Sequence, residues 1–387
     1  MPDAIPKPPT GDLPFPQDYP NPMGAATPSL RERIITAISK RGSLAFPQYL
    51  EIALYDPELG YYARPGTQVG RSGDFYTSVS VGALFGKLLA RRFLGWWEGN
   101  GKPADWRILE IGAHDGMLAA DILAEIHLLS PNAWQALEYA IPEPLPRLRN
   151  LQQTRLESLA SRLRLAGGFG EIASHPLPGV AFGNEILDAL PFHLVEMKGG
   201  AWQELHVIAG ENGTLALEPR ETSIQLGTAF PEGYRTEVRT SFPAFLEDVT
   251  RCLTDGLLLF ADYGFASPEY YDVYRSSGTL RTFSSHKAGD DPFAAPGETD
   301  ITAHVDFTDL AKAAISAGYS PTVFNSQGSY LTHLAKPMIL NGGMDDAKTI
   351  AQFQSLTHPA HLGAKFHIIE LERSAEIPPD VAHRLAL

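Results

Sequence analysis

Apolar residues fall into a regular pattern from Ser29 onward. Ser29-Leu30-Arg31-Glu32 matches a capping box, and Leu30, Ile34 and Ile38 follow at helical spacing until Gly42 ends the run. Phe46, Tyr49, Leu50, Ala53 and Leu54 predict a second helix, with Pro47 near its start and the turn Asp56-Pro57-Glu58-Leu59-Gly60 at its end. A glycine-bearing loop then covers 61–73, and a longer helix is predicted from about Ser80 to Trp97.

Beyond it the period changes. The apolar run Trp106-Arg107-Ile108-Leu109-Glu110-Ile111 stops at Gly112, and a helical pattern follows from Met117 to Leu129. Tyr139-Ala140-Ile141 predicts another strand, with a polar helix after Pro146; Val180-Ala181-Phe182 and the run from Gly256 to Asp262 predict further strands. Strands alternating with helices imply an α/β fold with a parallel sheet, which binds ligands at the carboxyl ends of its strands. Three alternating segments within 193–220, separated by glycine turns, read as an inserted β-meander. The polar, Gly/Pro-rich stretch 265–303 reads as a lid-like loop, and 364–371 as a last strand. The expected organisation is a flexible proline-rich arm over 1–28, a helical cap over 29–105, and a main domain over 106–387 carrying the insertion and the lid.

Charge narrows the function. Lys and Arg number 31 and Asp and Glu 45, giving −14, which repels phosphate backbones and suits a cationic substrate or partner rather than nucleic acid. Cys252 is the single cysteine, so no internal disulfide and no Cys-based zinc site can form. His358 and His361 lack a clear third ligand, and no metal site is expected. The N-terminus lacks the basic stretch and apolar core of a signal peptide and the Arg-rich character of a transit peptide. No apolar run approaches the ~20 residues that span a bilayer. The chain therefore reads as cytoplasmic, soluble and without a membrane partner.

Four stretches carry candidate chemistry. In Glu110-Ile111-Gly112-Ala113-His114-Asp115-Gly116 a strand enters a glycine turn before a helix, whose free N–H groups can meet an anion. A dinucleotide would need G-x-G-x-x-G, and position 114 is His. S-adenosylmethionine, with no pyrophosphate, fits this turn better than NAD; an ordinary strand–helix turn is the plain alternative. Glu143 follows the second strand, where an acidic residue accepts both ribose hydroxyls. Asn184, Glu185 and Asp188 follow the strand at Val180, where Asn184 and Asp188 could also simply satisfy loop amides. Gly73-Asp74-Phe75-Tyr76-Thr77-Ser78 is a polar, aromatic-bearing loop that could close over a ligand or serve as a turn and N-cap.

In this order the four stretches resemble the MidA family of S-adenosylmethionine-dependent methyltransferases. The resemblance extends through 53–62, Leu84-Phe85-Gly86, Asp188-Ala189-Leu190-Pro191, Asp262-Tyr263-Gly264, Gly278-Thr279-Leu280-Arg281, His286, 297–307 and Gln327-Gly328. It implies a class I, Rossmann-like methyltransferase sheet with N-terminal helical additions and the inserted meander. It implies S-adenosylmethionine at Glu110, Gly112, Ala113, His114, Gly116, Glu143, Asn184, Thr77 and Ser78, and it makes Glu185, Asp74 and Asp188 the candidate catalytic residues. A mitochondrial member of the family is a protein arginine methyltransferase, which implies a protein substrate. Two positions depart from the family pattern: His114 stands where a central glycine is usual, and Val79-Ser80 where Pro-Glu is usual. A non-catalytic assembly protein on the same fold is the rival reading.

Overall fold

The computed structural model describes residues 28–64, 77–226, 230–284 and 287–387; the expected arm, apart from Pro28, and Asp74 lie outside them. Helix α1, Leu30–Arg41, begins as its sequence dictates. The Glu32 carboxylate accepts the Ser29 N–H at 2.7 Å, and the Ser29 hydroxyl oxygen accepts the Glu32 N–H at 3.3 Å. Gly42, at φ 82°, ends it. Helix α2 is Phe46–Tyr55. The long helix expected from Ser80 is two helices, α3, Ser78–Val81, and α4, Leu84–Gly99. Gly82 separates them at φ 136°, where a Cβ would lie 2.6 Å from the Gln352 side chain. The apolar period runs through this break, so the pattern alone does not show it.

The strand–helix alternation builds an eight-stranded sheet. Its main strands are β1, Trp106–Ile111; β2, Leu137–Pro142; β3, Leu163–Ala166; β4, Leu177–Asn184; β5, Leu253–Phe265; β6, Tyr319–Ser326; and β7, Phe366–Arg373. They lie in the order β6-β7-β5-β4-β1-β2-β3, and Val305–Asp306 pairs in parallel with the last residues of β5 as the short eighth strand. Strands β1 to β5 are parallel, and β7 is antiparallel to both β5 and β6. The chain moves outward from β1 through β2 to β3 and then returns to the other side of β1 as β4. That reversal opens a crevice between the carboxyl ends of β1 and β4, where open α/β sheets bind ligands. Strand β6 escapes the sequence pattern because Pro321 interrupts it, at an irregularity in its pairing with β7.

The insertion is a meander of His193–Lys198, Ala201–Ala209 and Leu215–Glu221. Two further strands join it: Arg235–Val238 on one side, and Leu44–Ala45, which pairs with His206 and Val207. Ile34, Phe46 and Leu50 consequently share one core with Phe192, Leu205 and Ile301. Helix α4 belongs instead to the core under the large sheet, against α5, Met117–Leu129. Gly86 permits the approach, since a Cβ there would meet Asp121 Cβ at 2.6 Å. The stretch 265–303 carries a short helix, Ser267–Tyr270, and a three-stranded sheet of Arg281–Ser284, Lys287–Gly289 and Asp300–Thr302.

Candidate functional site

The β1–α5 turn is built in left-handed backbone. Gly112 has φ 71°, His114 φ 46° and Gly116 φ 81°. Two of these positions suit glycine, and the imidazole-bearing His114 occupies the third at a conformational cost of order 1–3 kcal/mol. Gly112 is exposed and Ala113 and Gly116 are buried, so the turn presents main chain to the crevice.

Helix α6, Pro131–Ala136, leads into β2, and α7, Pro146–Arg155, follows it. Between β2 and α7, Glu143 is buried. Its carboxylate accepts the Leu145 N–H at 2.9 Å and the Gln152 amide at 3.3 Å. Burial raises this carboxyl above its ordinary range, while the Leu145 and Gln152 bonds, Arg149 and His114 act against the rise. Gln152 also donates to the His114 carbonyl at 2.8 Å, so one side chain spans the glycine turn and Glu143. Glu110, one position before the end of β1, is buried and accepts the Tyr139 hydroxyl of β2 at 2.7 Å. Burial pushes its carboxyl up to about 8.

Across the crevice, β4 ends in Asn184, and Glu185 follows at φ 55°. The Asn184 amide donates to Glu185 at 2.9 Å, while the Asn184 Oδ1 is buried without a protein partner. Glu185 keeps part of its surface open, yet desolvation, joined by the neighbouring Asp188, pushes its carboxyl up to about 8. Desolvation also pushes buried Asp188 up to about 6, with Arg239 opposing it.

Asp262, near the end of β5, holds this turn. One of its oxygens accepts the N–H groups of Ile186, Leu187 and Asp188 at 3.1, 2.7 and 3.2 Å; the other accepts the Tyr263 N–H at 2.8 Å. Burial and the adjacent Asp188 push Asp262 upward, and these main-chain bonds oppose the rise. Arg239 donates to the carbonyls of Asp188, Ala303, His304 and Leu190, tying the turn to the segment before Val305. Tyr55 donates to the Ala189 carbonyl at 2.9 Å and Tyr62 to Asp300 at 2.9 Å, placing α2, the turn after it and the 265–303 stretch on the same rim. The His304 ring lies edge-on to Phe265 with centroids 5.1 Å apart, and burial lowers it to about 4.

Thr77 caps α3, closing a capping box with Ser80. Ser80 Oγ accepts the Thr77 N–H at 3.1 Å, so the position where the family usually carries Glu serves here as a helix cap. The Ser78 main chain acts to lower the Glu185 carboxyl, and the Ser78 hydroxyl donates to Gln327 at 2.9 Å. The structure thus gathers Ser78, Asn184, Glu185 and Asp188 on one side of the crevice. The glycine turn and Glu143 lie on the other, and Ile186 packs against Gly112 between them. Asp262, Arg239 and Gln152 were not singled out as site residues from the sequence. Asp262 had a signal, an acidic residue ending an apolar strand; Arg239 and Gln152 had none.

The strand order and its crevice are those of a class I methyltransferase, and the comparisons agree. The family model for S-adenosyl-L-methionine-dependent methyltransferases matches residues 88–325, and the chain belongs to that family, with S-adenosylmethionine as methyl donor. A COG1565 superfamily member from Burkholderia thailandensis, solved with S-adenosyl-homocysteine bound, is 31% identical, with TM-score 0.80 over 92% of this chain and 94% of that one. The protein arginine methyltransferase NDUFAF7 homolog of Drosophila melanogaster, mitochondrial, is 26% identical over 89% of this chain and 84% of its own. Human NDUFAF7, also a mitochondrial protein arginine methyltransferase by name, is 26% identical over 89% and 83%. The names of the arginine methyltransferase relatives overturn the cytoplasmic placement: those relatives are mitochondrial, and an N-terminus without an evident targeting pattern does not fix a compartment.

Proposed function

We propose that this chain methylates arginine side chains of a protein substrate. The observation that carries the reading is the cluster of carboxyls formed by Glu185, Asp188 and Asp262 beside the crevice, each raised from its ordinary range chiefly by desolvation, with Arg239 acting against the rise at Asp188. A guanidinium entering there supplies the missing charge and meets acceptors for its planar N–H groups. The names of the mitochondrial relatives support the same substrate class.

The residues present fit the donor. A left-handed turn presents main chain, Glu143 offers a carboxylate at the end of β2, and Asn184 Oδ1 is an acceptor still lacking a donor. In this reading Gly112, Ala113, His114 and Gly116 hold the amino-acid portion with Asn184, Thr77 and Ser78 closing from the other side. Glu143 takes the ribose hydroxyls, and Glu110 braces the turn from below. S-adenosylmethionine supplies, when bound, a methyl group already activated on a sulfonium. Glu185 orients the acceptor nitrogen, localises its charge on the remaining nitrogens and takes the proton that nitrogen loses as the new N–C bond forms and the methyl–sulfur bond breaks, with S-adenosyl-homocysteine as leaving group. Asp188 strengthens Glu185 as a base by raising its carboxyl.

Labelled methyl transfer into mitochondrial extract, followed by mapping of the modified residue, tests the proposal. Methylarginine in a protein is expected, and it should vanish with Glu185→Gln. Label confined to another residue type or to small molecules would refute the substrate assignment.

A further inference from the structure

Gln152 has no exposed surface, although it is a polar side chain on the mostly polar helix α7. Its amide nitrogen reaches both the His114 carbonyl, at 2.8 Å, and Glu143 Oε2, at 3.3 Å. These groups come from different β–α units, the first after β1 and the second after β2. Gln152 Oε1 is buried with no partner. Flipping the amide would place that oxygen against two acceptors, so the observed orientation is the one its neighbours permit. Burying an unmatched amide oxygen costs about 1–3 kcal/mol, and a leucine at this position would avoid that cost. What the glutamine adds is a fixed spacing between the left-handed turn and the carboxylate.

We propose that Gln152 is a positioning residue of the donor site: its amide holds the Glu143 carboxylate and the His114 carbonyl in register, so that one ligand can engage both. The inference rests on the reading that Glu143 takes the ribose. It adds a residue from outside the motifs and explains how two separate β–α turns act as one recess.

The charged state of Glu143 gives a readout that a purely structural role would not move. Burial raises the Glu143 carboxyl, and the Gln152 N–H opposes that rise by bonding its ionised form. The other groups facing it are the Leu145 N–H, Arg149 on α7 and His114 across the turn, all of which also favour the ionised form; the Ala166 carbonyl of β3 accepts its main-chain N–H at 2.9 Å. Ionised Glu143 is the better acceptor for hydroxyl donors, so affinity falls as pH drops through its pKa. Removing the Gln152 bond raises that pKa further, and the loss of affinity then begins at a higher pH.

The experiment is calorimetric titration of the full chain with S-adenosyl-homocysteine between pH 5 and 8, in wild type, Gln152→Leu, Gln152→Met and Glu143→Gln. Each is repeated in a His114→Gly background, which removes the imidazole that faces Glu143. Both Gln152 variants are expected to bind about 10-fold more weakly at pH 7, with the acid limb moved to higher pH. Glu143→Gln should weaken binding and abolish the limb. Thermal midpoints identify a variant that has failed to fold, and the two Gln152 replacements of different shape guard against that failure. If the Gln152 variants keep both affinity and limb while Glu143→Gln loses them, the positioning role is overturned and the ribose reading stands. If Glu143→Gln binds like wild type, the ribose reading fails and this inference falls with it.

Discussion

Replacing Asp262 by asparagine keeps shape and removes one charge. The aspartate accepts three main-chain N–H groups at one oxygen and a fourth at the other. Hydrogen bonds to a charged acceptor contribute about 1.5–3 kcal/mol each, against about 0.5–1.5 for neutral pairs, so retaining the three-donor side still loses roughly 3 kcal/mol. The asparagine NH2 must then face the Tyr263 N–H, donor against donor, for about 1–3 kcal/mol more. Relief of repulsion with Asp188 and Glu185 offsets part of this, and a net loss of about 2–4 kcal/mol is expected. Urea unfolding followed by circular dichroism measures it, with the slope checked for constancy. Methyl transfer should fall more steeply than stability predicts, because the turn that loses its anchor carries Glu185 in left-handed backbone. Unchanged stability together with unchanged turnover would refute the reasoning, since it would mean that the four bonds are replaceable and do not hold the turn.

Glu185→Gln should lower turnover about 100-fold or more and change S-adenosyl-homocysteine affinity little, as expected of a positioned proton acceptor; single-turnover methylation and calorimetry separate the two effects. With the Glu185 carboxyl at about 8, kcat/KM should rise with pH up to that value, and Asp188→Asn, which removes a charge that raises it, should move the rise to lower pH. His114→Gly should leave donor affinity within about threefold and stability within about 1 kcal/mol, the relief of a positive φ being balanced by the freer unfolded chain. Gly328→Ala should destabilise by about 1–3 kcal/mol, because the new Cβ would lie 2.4 Å from the Thr357 carbonyl oxygen.

Five of the main strands were legible because they are apolar runs ended by polar or glycine positions; Leu163–Ala166, with Arg164 in its middle, was not. Trp106–Ile111 and the following helix stand where their periods put them. What stayed hidden depends on distance in the chain. Leu44–Ala45 is two residues long and becomes a strand only because Val207 and His206 lie beside it. Strand β6 contains a proline and polar residues that its antiparallel neighbour and bulge accommodate. In the site, residues next to glycine turns or at strand ends could be picked out. Arg239 could not, because what it touches are main-chain carbonyls of residues 188, 190, 303 and 304, and carbonyls leave no mark in a sequence. The role of Ser80 as a cap was visible only once its neighbours were placed.

The pairing of Leu44–Ala45 with the inserted meander has a consequence for how the protein is made. A ribosome adds about 5–20 residues per second, and the partner strand emerges roughly 160 residues after this one. Ile301 and Ala303, which complete the same core, arrive later still. Through that interval α1 and α2 must keep Ile34, Phe46, Tyr49 and Leu50 without their eventual cover. The large sheet, by contrast, can begin to assemble from β1, β2 and β3 as soon as they leave the exit tunnel. This early segment is therefore among the last to dock, and until the meander and Ile301 arrive its apolar face stays uncovered.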